Sequence, residues 1–295
     1  MRSELSKFQI LRPASIKACS SRAGRRKIPE SKLQIPGKFQ VSRIQRPFTV
    51  RLEFHGDLDL FLKPRSETLI SRLLNERSSI KDIIEACGVP HTEVDRVLVN
   101  SKPVNFSYVL DENASVEVHS VNVTQHNLSG SQLQSRSTKK FVVDGHLGKL
   151  ARNLRLLGFD VFYANTAEDR QLLEVMQGEA RALITRDRRL LMHSIVEHGY
   201  CPRSGNGEEQ TIEVLRRFDL EKAIEPFTRC LDCNARLETV EKNEVIDRLE
   251  PLTKVYYENF RRCPGCRKIF WGGSHFDKLR ARVENMRTKL QEPRG

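Results

Sequence analysis

No hydrophobic run in these 295 residues is long enough to cross a bilayer, and no apolar leader of the secretory kind opens the chain. The first absence argues against a helical membrane protein. The second leaves a disulfide framework without support, because an oxidising compartment is not indicated. Excess charge is also scarce outside one segment. Residues 1–46 carry twelve Lys or Arg against Glu4 and Glu30, so they hold ten of the twelve net positive charges and the remaining chain only two. A tight, indiscriminate nucleic-acid binder would show a larger basic excess in its folded part, so a selective or weak RNA binder is expected. The composition, 38% hydrophobic and 30% charged, is that of a chain that folds in water, with room for two domains and a small appendage.

The basic N-terminal segment is Arg- and Ser-rich, poor in acids, and contains Pro13, Pro29 and Pro36 without sustained apolar periodicity. Such a stretch is not expected to fold. Its composition is that of an organelle transit peptide, which points to a chloroplast or mitochondrion. The alternative is a basic tail that touches nucleic acid or directs the protein to the nucleus, or leaves it in the cytoplasm.

Four of the seven cysteines form two tight pairs, Cys230-Leu-Asp-Cys233 and Cys263-Pro-Gly-Cys266. A two-residue spacer turns both thiolates of a pair toward one ion, and tetrahedral zinc takes four such ligands. The competing readings are disulfides or a redox pair. Between Cys233 and Cys263 lie 29 residues, more than a compact ribbon needs, so an insertion of one or two ordered elements broken at Pro251 is expected. Cys19, Cys87 and Cys201 read as ordinary thiols.

From Phe48 the texture becomes alternating: FTVRLEF, a turn at His55-Gly56-Asp57, and LDLFL read as a hairpin. A helix follows on Ile80, Ile83, Ile84 and Cys87, closed by Gly88 and capped by Ser78 or Ser79. Two further strand units, VDRVLVN and VLDENASVEVHSV, complete a β-grasp order similar to that of ubiquitin-like domains and small sulfur carriers. Carriers end in Gly-Gly. This module instead runs into VNVTQHNLSGSQLQSRSTKK, so packing or protein docking is its expected role, and residues 122–138 read as a flexible linker.

The catalytic argument begins at Phe141–Val143, a short buried-strand pattern with Asp144 at its carboxyl end, where open α/β sheets place their chemistry. Leu147, Leu150, Ala151, Leu154 and Leu157 form a helical stripe ended by Gly158, and the strand DVFYAN follows. The pattern repeats. Glu168-Asp169 leads a helix with Leu172, Leu173 and Met176, and the strand ARALIT ends in Thr185-Arg186-Asp187. Asp144, Asp169 and Asp187 therefore stand at equivalent topological positions, a donor set suited to magnesium or manganese and to water attack on a phosphodiester. Each also has a simpler explanation as a helix cap.

The segments VDGHLGKLARNLRLLGFD, EDRQLL and ITRDRRLL, with RCLDCN, CPGCRKIFWGGSHFDKL and their order, resemble the ribonuclease domain named after the C-terminal part of the mutator-seven exonuclease. That resemblance implies a PIN-like fold, a zinc ribbon and a preceding ubiquitin-like domain. It implies metal-binding roles for Asp144, Asp169 and Asp187, Glu168 as a neighbouring candidate, and Cys230, Cys233, Cys263 and Cys266 as zinc ligands. Asn153 stands where an aromatic is common in that family.

Lys149 and Arg152 lie on the helix after Asp144, Arg186 flanks Asp187, and Trp271 sits among Phe270, Phe276 and C-terminal bases. These four are the candidate substrate contacts. The expected architecture is α/β: a basic segment (1–46), an α+β β-grasp ubiquitin-like domain (47–121), a linker (122–138), a PIN-like parallel-sheet nuclease domain (139–228), a zinc ribbon (229–275) and a basic helix and tail (276–295). The expected function is metal-dependent hydrolysis of RNA in processing or turnover, with structural zinc and catalytic magnesium or manganese. RNA is the expected partner, a protein partner is expected through the ubiquitin-like domain, and no membrane is involved. The contrasting reading is a non-catalytic RNA-binding or ribosome-associated scaffold.

Overall fold

The computed structural model describes residues 46–63, 67–122 and 132–292, and the segment expected to target the protein lies, Arg46 apart, outside them. The first sheet is built from β1 (Phe48–His55), β2 (Leu69–Leu74), β4 (Val94–Val99), β5 (Lys102–Val104) and β7 (Ala114–Ser120). Its order is β2-β1-β7-β4-β5, with β1 and β7 parallel at the centre. A minor pair, β3 (Ser78–Ser79) with β6 (Val109–Leu110), closes one end. Helix α1 (Ile80–Ala86) packs Ile80, Ile83 and Ile84 onto Val50, Leu52, Val97, Val116 and Val118. This is a β-grasp fold. Ser79 caps α1 by accepting the Asp82 N–H, and Gly88 ends it with a φ of 94°.

The expected hairpin is corrected here. Residues Asp57–Phe61 form a single tight helical turn, and the strand beside β1 is the later Leu69–Leu74. LDLF alternates like a strand, but Leu58 and Phe61 are three residues apart and reach the core together only as a turn.

The second sheet is parallel throughout: β8 (Lys140–Val143), β9 (Asp160–Tyr163), β10 (Ala182–Ile184) and β11 (Gly199–Tyr200), in the order β11-β10-β8-β9. Strand alternation feeds two cores. Phe141, Val143, Ala182 and Ile184 face α2 (Gly148–Leu156) and α5 (Gly207–Arg217), while Val142 and Leu183 face α3 (Asp169–Gly178) and α4 (Arg188–Leu191). Helix α2 therefore leaves β8 on one face and α4 leaves β10 on the other. The carboxyl ends of β8 and β10 form the switch point at which such sheets open a crevice.

The third sheet, β12 (Glu238–Val240), β13 (Phe260–Arg262) and β14 (Ile269–Trp271), carries the cysteine pairs. The expected insertion holds α6 (Lys242–Val245) and α7 (Pro251–Tyr256), with Pro251 at the first helical position, where its missing N–H does no harm. Helix α8 (Ser274–Gln291) then returns to α5 and buries Val283, Met286 and Leu290 in the larger core. No described helix is long and apolar enough to cross a membrane.

The two α/β parts are joined by buried polar contacts. Arg203 pairs with Glu93 at 2.6 Å and Asp57 at 3.0 Å, and Glu93 is fully buried. Arg188 donates to the Leu60 and Phe61 carbonyls, and His91 reaches the Val196 carbonyl. The later part of the expected linker is held in place: Gln134 is buried and donates to Asp95 and to the His91 carbonyl.

Candidate functional site

Asp144 follows β8 directly. Its Oδ2 accepts the Thr185 hydroxyl at 2.7 Å and its Oδ1 the His146 N–H at 3.4 Å. Thr185 in turn accepts the Asp187 N–H at 3.0 Å. One fully buried threonine thus ties Asp144 to the Asp187 backbone across the switch point. Asp187 caps α4 through Oδ1, which accepts from Arg189 and Leu190, so the capping role anticipated for it is present. Asp169 is the first residue of α3, exposed, and its carboxylate makes no hydrogen bond to a described residue; Glu168 precedes it as the N-cap position without a capping bond.

The three aspartates lie at the carboxyl ends of three adjacent parallel strands or just beyond them. They do not form a closed ligand cluster. Among the described residues only two groups of three or more bring all their ligand atoms within 4.8 Å: the four cysteines, and His55, Glu117 and His119. Direct ligands of one magnesium, at about 2.1 Å each, lie at most about 4.2 Å apart. As placed, these aspartates would share an ion only through waters or side-chain rotation, which suits the water-retaining habit of magnesium.

Beside the switch point a cleft of about 430 Å³ opens between α2 and the loop that leads into α5. Lys149, Arg152 and Arg282 bring positive charge to its lining, and Asn206 and Gly207 bring the start of α5. Glu208, also in the lining, pairs with Arg282 at 2.8 Å. Arg152 leans toward Asp232 at 3.5 Å, while Lys149 is exposed. Asn153 ties the walls together by donating to the Gly207 carbonyl and to Thr211. That accounts for an amide here in place of an aromatic.

The remaining substrate candidates lie elsewhere. Arg186 directs its guanidinium to the carbonyls of Pro202, Arg203 and Ser204 and so holds the loop before α5. Trp271 lies on β14, 39% exposed and outside the lining of the cleft. The C-terminal bases are largely paired: Arg280 with Asp277, Arg287 with Glu284, and Lys289 with Glu209.

The cysteine knuckles repeat one geometry. The Cys230 and Cys263 carbonyls accept the Asn234 and Arg267 N–H groups, and both acceptor turns end in a left-handed residue, φ 71° and 59°. Sγ of Cys230 lies 3.6 Å from Cys266, and Sγ of Cys233 lies 3.2 Å from Cys263. The close pairs run between knuckles and are too long for disulfides, near the S···S separation of about 3.8 Å expected around tetrahedral zinc. Burial pushes the Cys230 and Cys263 thiols up, whereas at Cys233 burial is outweighed by the Ala235 N–H and the neighbouring sulfurs, which bring it down to about 7. Thiolate is the form a metal needs. Buried Arg155 fixes this ribbon to the sheet, donating to the Leu231 and Asp232 carbonyls and to that of Val161.

Thr185 was not singled out in the sequence, though its place at a strand end beside Asp187 was a legible signal; Arg155 and Arg282 were legible only as members of basic clusters, and Asn153 only as a departure from the family pattern. The chain thus combines a doubly wound sheet with acids at its strand ends, a basic cleft and a ribbon of four clustered cysteines. Residues 139–283 match the Mut7-C RNAse domain and residues 48–126 the Mut7-C ubiquitin domain. The chain therefore carries a Mut7-C RNAse domain preceded by a Mut7-C ubiquitin domain. No curated protein and no solved structure matches it.

Proposed function

We propose that the protein is a metal-dependent ribonuclease that hydrolyses RNA phosphodiester bonds during RNA processing or turnover. The observation that carries this reading is the Thr185 bridge, which brings the Asp144 carboxylate and the Asp187 backbone to the switch point beside a cleft lined with cations. Asp144 and Asp187, with Asp169 and Glu168 from the helix start that follows the neighbouring strand, would hold magnesium or manganese. Such an ion supplies charge neutralisation at the phosphate and a more acidic water. Lys149 and Arg152 would bind and orient the backbone phosphates, and Arg186 keeps the opposing loop in place. Trp271 would offer a stacking face on the ribbon. Cys230, Cys233, Cys263 and Cys266 would hold a structural zinc.

A second reading, an RNA-binding scaffold, is favoured by two observations: Asp187 is occupied as a helix cap, and the acids do not converge tightly. Incubation of the full chain with labelled single-stranded and structured RNA, in manganese or in chelator, separates the two. Metal-dependent cleavage lost in Asp144→Asn supports the nuclease. Binding without cleavage supports the scaffold, and cleavage unaffected by the substitution assigns the activity to another site or a contaminant. The composition of residues 1–46 supports delivery to a chloroplast or mitochondrion.

A further inference from the structure

The second group of convergent ligand atoms lies far along the chain from the cysteines, on the ubiquitin-like sheet. Strands β1 and β7 run parallel with Glu53 opposite Glu117 and His55 opposite His119. Alternation places these four side chains on the face turned away from the core residues Leu52, Phe54, Val116 and Val118. The two imidazoles stack with centroids 4.5 Å apart and planes within 12°. One ligand atom from each of His55, Glu117 and His119 lies within 4.8 Å of the others.

These rings lack the partners that buried imidazoles ordinarily have. His119 is only 8% exposed, and both its ring nitrogens and Nε2 of His55 are buried without a hydrogen bond. Glu53 and Glu117 stand by at 3.9 and 3.7 Å, beyond hydrogen-bond range. A buried polar atom left without a partner is costly, and a cation bound here would satisfy one nitrogen of each ring.

We propose that His55, His119 and Glu117 form a second metal site, one that takes a divalent transition ion of the zinc class, with Glu53 as its outer neighbour. Two imidazoles and a carboxylate are a borderline donor set that suits zinc and leaves a position for water, whereas magnesium and calcium prefer oxygen throughout. Stacked rings present their lone pairs side by side, so each ring must tilt about χ2, a soft torsion in histidine. An entry path exists, since the His55 and Glu117 side chains are 33% and 37% exposed. Bound metal would join the first and last strands of the ubiquitin-like domain. This inference does not depend on the ribonuclease reading.

The test uses the full chain, stripped by chelator and titrated with zinc, with cobalt as a spectroscopic probe. Wild type is expected to take up about two zinc ions, one at the ribbon and one at the histidines. His55→Gln, Glu117→Gln and His119→Gln should each weaken the second ion by about 100-fold or more, with the thiolate-to-cobalt band of the ribbon unchanged. If His119→Gln fails to fold, the other two variants decide. Uptake of only one ion by wild type overturns the proposal, as does a second ion that survives in His55→Gln and Glu117→Gln. Loss of the second ion in Asp144→Asn would overturn it too, by assigning that ion to the aspartates.

Discussion

The Thr185 hydroxyl donates to Asp144 Oδ2 at 2.7 Å from a position with no solvent exposure, and its oxygen accepts the backbone N–H of Asp187. Replacement by the near-isosteric valine leaves Asp144 without this donor and the Asp187 N–H without its side-chain acceptor. Thr185→Val is expected to lower RNA cleavage about 10- to 100-fold and stability by about 1–3 kcal/mol. Rates in manganese and a urea melt measure both.

Arg155 makes its contacts with the ribbon and β9 through a rigid fork that lysine does not reproduce. Arg155→Lys is expected to cost about 2–4 kcal/mol, since bonds to a buried charged donor are lost and carbonyls are left unpaired. Limited proteolysis should show cleavage within residues 234–262 before the rest of the chain.

The Glu93–Arg203 pair holds the ubiquitin-like domain to the Mut7-C RNAse domain, and burial pushes the Glu93 carboxyl up against the pull of Arg203. Arg203→Met removes the compensating charge while Glu93 stays buried, which costs about 3–5 kcal/mol. Thermal melts at neutral pH should show a large drop, and the double variant Glu93→Gln/Arg203→Met should recover part of it.

Acid stability follows from Asp57 and Asp160. Burial raises both carboxyls, but Arg203 with Ser120 and Asn122 at Asp57, and Arg181 with Asn234 and Arg229 at Asp160, bring both below the ordinary value of 3.8. A depressed folded pKa stabilises above the unfolded pKa, and that contribution is lost as pH falls through the folded value. Stability should therefore decline below about pH 4, and Asp160→Asn should flatten part of that decline in melts taken stepwise into acid.

Residues 1–46 fused to a fluorescent protein are expected to enter an organelle. Retention of the fusion in the cytosol would refute the targeting proposal.

The helices and parallel strands around Asp144 were legible because their apolar periodicity matches the faces they bury, as Leu150, Ala151 and Leu154 show on α2. The cysteine pairs were legible for the same local reason: spacing alone presets a knuckle. LDLFL misled, because alternation over five residues does not separate a strand from a turn whose Leu58 and Phe61 both face inward.

Local spacing along the chain thus defined the elements, the ribbon and the positions of the acids. Long-range register decided the rest. That Thr185 bridges two strand ends, that Arg155 faces a knuckle 76 residues away, and that His55 stacks on His119 all depend on which strands become neighbours. Pairing is chosen by burial of the whole core, a global free energy that no short stretch of residues encodes.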